Sequence, residues 1–169
     1  MDRIVPGLLL IIVVLALAIF LYYQMLDRKK FMAAAHYLNS LEEPLGEWLS
    51  GALSDPERPE AVSGAHRERL EACLEEYDET KPIRSEQKTL LMNEAHGLLK
   101  RVCASAAGDP LAERWRERLN AEMEELIDPI NQYNHYVRAY NKALETRTGA
   151  IVADLLRLKH LTVLDDLRL

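Results

Sequence analysis

Residues Ile4 to Leu26 form a run without a single charged side chain, and the basic cluster Arg28, Lys29 and Lys30 follows almost at once. At about 1.5 Å rise per residue, a helix of this length covers the roughly 30 Å hydrocarbon core of a bilayer. The sequence therefore predicts a single transmembrane span, and everything after it must be interpreted as a tethered domain.

The flanks of the span predict its type and direction. The apolar stretch continues beyond residues 16–18, which form the one small-x-small candidate cleavage site, so an anchor is favoured over a cleaved signal peptide. Only Arg3 precedes the span, whereas three basic residues follow it. Because Lys and Arg accumulate on the cytoplasmic side, we expect the N-terminus outside and the helical domain in the cytoplasm.

Composition excludes one class of partner. The chain has 27 acidic and 21 basic residues and a formal charge of −6. Proteins that bind phosphate backbones are normally basic on the binding face. We therefore expect the lipid bilayer and a protein, or a second copy of the chain, as partners, and no nucleic acid.

The remaining sequence has helical periodicity and no strand alternation, which predicts an all-α fold. It divides into the anchor with its basic flank (1–30), a helical bundle (31–160) and an apolar tail (161–169). The first helix is expected to continue beyond the basic flank until Pro44 and Gly46 break it, with an irregular connection over 42–64. Further helices are expected over 65–79 and 84–106.

The most regular segment is a long fourth helix. Eight apolar positions step by four and three, the seven-residue repeat of coiled-coil-like packing. They are Leu119, Met123, Leu126, Ile130, Tyr133, Val137, Tyr140 and Leu144. Pro129 is expected to kink this helix. The pattern predicts an antiparallel bundle with a long C-terminal helix, against which the tail, or the tail of another copy, docks.

Within this helix Tyr133-Asn134 recurs seven residues later as Tyr140-Asn141. The tyrosines lie on the apolar seam and the asparagines at its edge. Edge asparagines can bond to a neighbouring helix and set the register. Alternatively, together with His135, they form a recognition face for a peptide or partner helix, and the sequence leaves both interpretations open.

This repeated Tyr-Asn pair, with the Ala-Ile-Val-Ala of residues 150–153 after it, resembles the C-terminal signature of the LemA family. The N-terminal span before a helical domain of this size is similar too. Where family members usually carry Phe-Pro after the helix, this chain has residues 146–149, Thr-Arg-Thr-Gly. The resemblance implies an antiparallel helical bundle on one anchor and implies no activity.

No catalytic motif, phosphate-binding loop or cofactor signature is present in the sequence. The pairs His66/Cys73 and His96/Cys103 share a spacing of seven residues, but side chains two helical turns apart are about 10 Å apart. Neither pair alone can chelate a zinc ion, whose ligands lie at about 2.0–2.3 Å. We predict no catalytic residue, no cofactor and no metal.

Two functions follow as hypotheses. The first is a non-enzymatic scaffold or adaptor that presents a helix face to a protein partner at the membrane. The second is an extracytoplasmic sensor or ligand-binding module on the same anchor. The side of the membrane on which the bundle lies distinguishes them.

Overall fold

The computed structural model describes residues 4–26, 28–56, 58–59, 64–80 and 85–169. Within these ranges it describes side chains at all positions except 4–8, 10, 23–26, 28, 65 and 85. The described residues form seven helices and no strand, which confirms the all-α class. The helices are α1 (Ile4–Leu26), α2 (Arg28–Ser54), α3 (Ala65–Glu79), α4 (Ser85–Ser105), α5 (Pro110–Glu124), α6 (Ile127–Leu144) and α7 (Arg147–Leu156).

Aromatic contacts align α2 with α6 in opposite directions. The Phe31 ring lies 5.9 Å from Tyr140, and further along α2 the Tyr37 ring stacks on Tyr136 at 5.7 Å. Still further, the indole Nε1 of Trp48 donates to the carbonyl of Leu119 in α5. Position numbers rise along α2 as they fall along the partner helices, so this pair is antiparallel as predicted.

The second antiparallel pair is α3 with α4. The Arg69 guanidinium donates to the Glu94 carboxylate, and the Gln87 amide donates to the Glu76 carboxylate. The earlier residue of α3 thus meets the later residue of α4, which is the antiparallel arrangement. Tyr77 then joins this pair to α2, because its hydroxyl donates to the main-chain carbonyl of Glu42. The two pairs enclose one apolar core, which confirms the helical bundle.

The predicted break at Pro44 and Gly46 is wrong, because α2 continues to Ser54 with Pro44 inside it. An interior proline costs a helix about 3 kcal/mol. The buried stripe on both sides of it compensates: Leu41, Leu45 and Trp48 are all less than 5% exposed. Each such side chain gains about 1.5–3 kcal/mol on burial, so the core outweighs the local preference.

The prediction of one continuous fourth helix is also wrong, because a turn at Glu125 and Leu126 divides it into α5 and α6. Pro129 is the third residue of α6, where a helix has no main-chain partner for the N–H anyway. Pro129 therefore begins a new helix instead of kinking an old one. The predicted seven-residue stripe survives the break, because all eight positions except the half-buried Leu126 are buried.

Two caps follow the local sequence closely. Asp109 caps α5, because its side chain accepts from the N–H of Leu111, and Pro110 occupies the first turn of the helix. Thr146 caps α7 by accepting from the N–H of Gly149. A Cβ at Gly149 would lie 2.0 Å from the carbonyl oxygen of Ala143, so only glycine permits this close turn between α6 and α7.

The predicted transmembrane segment corresponds to α1, and the basic flank corresponds to the first turn of α2. Most large apolar side chains between Leu9 and Leu21 are more than half exposed. Among the residues that the structure describes in full, no helix is both long and apolar enough to cross a membrane. The span therefore stays a prediction from the sequence.

Candidate functional site: a groove that holds the tail

The chain after α7 forms no helix and lies in a groove between α4 on one side and α5 and α6 on the other. Arg157 ends α7 in the left-handed conformation, with φ of 54°. Leu164 and Leu167 of the tail are each 2% exposed and belong to the main core. The predicted apolar tail (161–169) thus docks on its own bundle.

Four asparagines hold this tail by its main chain, and we call Asn93, Asn120, Asn134 and Asn141 the asparagine clamp. On α6, Asn134 donates through Nδ2 to the Leu164 carbonyl at 2.8 Å and accepts at Oδ1 from the Leu164 N–H at 2.8 Å. Asn141 makes the same pair of bonds to Leu161, at 2.7 and 2.9 Å.

The other two clamp residues repeat the arrangement from different helices. Asn93 of α4 donates to the Val163 carbonyl and accepts from the Asp165 N–H, both at 2.9 Å. Asn120 of α5 donates to the Leu169 carbonyl at 3.1 Å and accepts from its N–H at 2.7 Å. Each amide therefore uses one donor and one acceptor on the tail main chain, as a neighbouring strand would.

The spacing of these contacts shows that the tail is nearly extended and antiparallel to α6. Asn141 and Asn134 are seven residues, or about 10.5 Å, apart along the helix. The tail covers this distance from Leu161 to Leu164, about 3.5 Å per residue, which is close to the limit of a stretched chain. Leucines recur at every third position, with Leu164 and Leu167 in the core and Leu161 packed against it.

Two further side chains contact the tail main chain. The Tyr133 hydroxyl donates to the Thr162 carbonyl at 2.7 Å and lies 3.2 Å from the Thr89 hydroxyl. Burial raises the pKa of Tyr133, so the phenol stays protonated and remains a donor. His96 of α4 places Nε2 3.1 Å from the Arg168 carbonyl. A carbonyl can only accept, so Nε2 carries the hydrogen.

Burial also lowers the pKa of His96, which favours the neutral ring against the tail. The Lys100 ammonium on the same helix lowers this pKa further. The bond to Arg168 and the carboxylates of Asp165 and Asp166 oppose that shift. The groove therefore contains one titratable group whose protonation opposes the bound arrangement.

The clamp contacts main-chain atoms, so its hydrogen bonds carry no side-chain selectivity. Selectivity must come from the apolar positions, above all those of Leu164 and Leu167. A cleft of about 210 Å³ runs beside the bound tail, lined in part by Ile127, Asn131 and Arg138. The tail therefore leaves room in its groove for larger side chains.

The structure brings together three of the four predicted ladder residues, Tyr133, Asn134 and Asn141. The asparagines contact the tail rather than a neighbouring helix. Tyr140 instead lies on the other face of α6, against Phe31. His135 is exposed, and its ring meets that of Tyr136 on the same helix.

Sequence reasoning missed Asn93, Asn120 and His96. One signal was available, because Asn120 lies fourteen residues before Asn134 and so shares the seven-residue register of Asn134 and Asn141. No comparable pattern points to Asn93. His96 was considered only as a partner of Cys103 in a metal site, and the structure places its ring on the tail instead.

The described residues contain no group of three or more His, Cys, Asp or Glu side chains placed to bind a metal ion. Cys73 and Cys103 are both free thiols, and burial raises the pKa of each. The thiols are therefore in their less nucleophilic, protonated form near neutral pH.

A second cleft, of about 800 Å³, lies between α2, α3 and α4. Its charged lining is mainly acidic, with Glu42, Glu43, Glu47 and Asp78 beside the buried Lys88. Lys88 is satisfied there, because its ammonium bonds to the Glu42 carboxylate and lies 4.5 Å from the Tyr77 ring centroid. The Lys88–Glu42 ion pair joins α4 to α2 at this cleft.

No protein-family model, curated protein or solved structure matches this chain. The clamp itself must therefore carry the functional argument.

Proposed function

We propose that this protein is a membrane-anchored, non-enzymatic adaptor whose bundle binds an extended peptide segment in the clamp groove. Its own tail is the resident occupant, and a protein partner contributes the competing segment. The single observation that carries the proposal is the asparagine clamp, in which four side-chain amides each pair with an N–H and a carbonyl of the tail.

The main-chain bonds that hold the tail could also be made by another chain. Recognition by strand addition also depends on main-chain bonds for affinity and on side-chain pockets for specificity. Any extended segment offers the same N–H and carbonyl groups, so a clamp of this type accepts another chain that supplies apolar residues at the positions of Leu164 and Leu167. A permanent core contact needs no such arrangement of paired amides.

The anchor is the second part of the proposal. It is supported by the uncharged run Ile4–Leu26, by the 23-residue length of α1 and by the exposed apolar side chains of that helix. An apolar surface of that extent is a liability in water and an advantage in lipid. The basic flank at Arg28, Lys29 and Lys30 supports a cytoplasmic position for the bundle.

The similarity to the LemA family belongs to the same proposal. It is carried by Tyr133-Asn134 and Tyr140-Asn141. Three of these side chains contact the tail, and the fourth, Tyr140, contacts the Phe31 ring. If the relationship holds, the family's repeated Tyr-Asn pair has a physical role here, with asparagine clamping an extended chain and tyrosine lining the seam.

Competition with the tail determines the affinity that a partner needs. A segment joined to its site by a short connection acts at a local concentration of the order of millimolar. A partner in solution therefore binds only weakly unless the tail is loosened or the partner is itself concentrated at the membrane.

A peptide-binding experiment on the full chain tests the groove. The tail is loosened in cis by Leu164→Asp and Leu167→Asp, which leave every clamp residue intact. A fluorescent peptide with the sequence of residues 158–169 is then titrated while its anisotropy is measured. We expect saturable binding, and a loss of at least tenfold in affinity when Asn134→Ala and Asn141→Ala are added.

Two controls make the result specific. A peptide carrying the same two leucine-to-aspartate changes is expected not to bind, and Gln132→Ala, an exposed amide on the same helix, is expected to leave binding unchanged. If the loosened chain keeps its helical circular dichroism and yet binds no peptide, the adaptor proposal fails. If it loses its helical signal, the tail is a structural part of the core, and the proposal fails equally.

Topology separates the adaptor from the extracytoplasmic module. Ala107 is exposed in the turn between α4 and α5, whereas its neighbour Gly108 has φ of +91° and tolerates no side chain without strain. Ala107→Cys, with Cys73→Ala and Cys103→Ala, is exposed to a membrane-impermeant thiol reagent. Labelling only after cell breakage supports the cytoplasmic adaptor, and labelling of intact cells favours the external module.

A further inference from the structure

The outer face of α7 has large apolar side chains that the described residues leave exposed. Ile151 is 69% exposed and Leu155 is 60% exposed, and they lie one turn apart on the same side of the helix. The opposite side is buried against the bundle through Gly149 and Val152. Adjacent exposed apolar side chains of this size indicate an interaction surface.

The position of α7 identifies what covers this face. The Oγ1 atom of Thr146, the N-cap of α7, lies 2.9 Å from the hydroxyl oxygen of Tyr22 in α1. Further along, an apolar cleft of about 520 Å³ separates the two helices, lined on the α1 side by Ala16, Ile19 and Phe20. On the α7 side the lining is formed by Leu156 and Leu158. Leu156, the neighbour of Leu155, therefore borders the exposed apolar surface of α1.

We infer that α7 is a second lipid-contacting element, which lies at the membrane interface beside the anchor and inserts Ile151 and Leu155 among the acyl chains. Short amphipathic helices bind in this way, with their apolar side in the acyl boundary and charged groups at the headgroups. Exposed Arg147 at the start of α7, next to the Thr146–Tyr22 contact near the basic end of the anchor, is placed for anionic headgroups. The inference rests on the proposed anchor.

Attachment through both α1 and α7 would fix the orientation of the bundle relative to the membrane, whereas attachment through α1 alone would allow the bundle to rotate. The tail leaves α7 directly, so the groove would begin near the headgroups and extend away from them. A partner segment would then reach the groove from the membrane-distal end, near Asn120.

Spin labels on the full chain in vesicles of phosphatidylcholine and phosphatidylglycerol test this inference. The label is attached in turn to Ile151→Cys, Leu155→Cys and Leu15→Cys of α1, and to Glu122→Cys on α5 as an exposed control, with Cys73→Ala and Cys103→Ala throughout. Collision with oxygen, which concentrates in the bilayer, is compared with collision with a water-soluble nickel chelate.

We expect positions 151 and 155 to show an oxygen-to-nickel ratio several-fold above that of position 122, approaching that of position 15. If position 15 is lipid-exposed while 151 and 155 match position 122, the inference about α7 is overturned and the anchor stands. If position 15 also reports water, the anchor proposal itself fails. Low collision with both reagents at 151 and 155 would show that protein covers this face, and would also overturn the inference.

Discussion

The two faces of α6 bind their neighbours by different chemistry. Towards α2, the helix offers rings and aliphatic side chains, with Tyr136 stacked on Tyr37 and Tyr140 against Phe31. Towards the tail, it offers Asn134 and Asn141, whose amides pair with main-chain atoms. The first face contacts one particular helix through side-chain packing, and the second holds an extended segment by its main chain.

This difference predicts which contacts persist until the bundle unfolds and which open locally. Interdigitated apolar side chains lose their partners completely if the helices separate. Main-chain hydrogen bonds are nearly recovered in water or with another chain, so each has a net worth of only about 0.5–1.5 kcal/mol. We therefore expect the bundle to open as a unit and the tail to open before it.

The largest expected effect comes from the α2 side. Leu41 is 1% exposed in the core, and Leu41→Ala is expected to lower the free energy of unfolding of the whole bundle by roughly 3 kcal/mol or more. Denaturant melts followed by circular dichroism measure this change. Glu43→Ala, an exposed change on the same helix, is the control and is expected to change stability by less than about 0.5 kcal/mol. An equal effect of both changes would mean that α2 is not the permanent side.

The next largest effect belongs to the clamp. Asn134→Ala leaves the buried N–H and carbonyl of Leu164 unpaired, which is expected to favour tail opening by roughly 2–3 kcal/mol, or about a hundredfold. Hydrogen exchange of the tail segment measures it, with Gln132→Ala as the matched control. The comparison between the two faces breaks down if exchange in α2 accelerates as much as exchange in the tail.

A smaller effect is expected at the tyrosine of the groove. Tyr133→Phe keeps the buried ring and removes the hydroxyl that donates to the Thr162 carbonyl. The expected cost is about 1 kcal/mol of tail opening, which is roughly fivefold in the exchange rate. An unchanged exchange rate at residues 161–164 would show that water replaces the hydroxyl at no cost.

The smallest predicted effect is a pH dependence of the tail. The folded pKa of His96 is lowered by burial, so the open state binds more protons, and the stabilisation is fully present above the ordinary value of 6.5 and is lost as pH falls through the folded pKa. Tail exchange, corrected for its intrinsic pH dependence, is expected to be faster at pH 5 than at pH 7.5.

His96→Gln isolates this contribution, because the glutamine amide can still donate to the Arg168 carbonyl but does not titrate. We expect the difference between pH 5 and pH 7.5 to shrink in this variant. An undiminished difference would show that the histidine is not the source of the pH dependence.

Much of the fold could be predicted from periodicity alone. The bounds of α3 and α4 agree with the expected helices to within one residue. Charged and apolar residues lie on opposite faces of these helices, and strong helix-stop signals follow each of them. The proline effects could not be predicted locally. Pro44 is tolerated because the stripe of Leu41, Leu45 and Trp48 is buried on both sides of it, which depends on tertiary packing.

The candidate site could be predicted only in part. The repeat of Tyr133-Asn134 at Tyr140-Asn141 indicated an edge with unpaired amides, but an asparagine pairs equally well with a helix, a strand or water. The partner depended on α7 reversing the chain at Gly149 and Arg157, which brings the tail back along α6. Asn93 comes from a different helix, so its part in the clamp follows from the three-dimensional arrangement alone.

The most direct test of the central claim is hydrogen exchange of the full chain in lipid nanodiscs at increasing denaturant concentrations. The segment over residues 161–169 is compared with segments of α2 and α6. We predict that the tail exchanges through an opening with a smaller free energy and a much weaker denaturant dependence than the helices, as expected for local release from an intact bundle. If the tail and the helices instead share one free energy and one denaturant dependence, the tail is a fixed part of the core and not an exchangeable ligand of the groove.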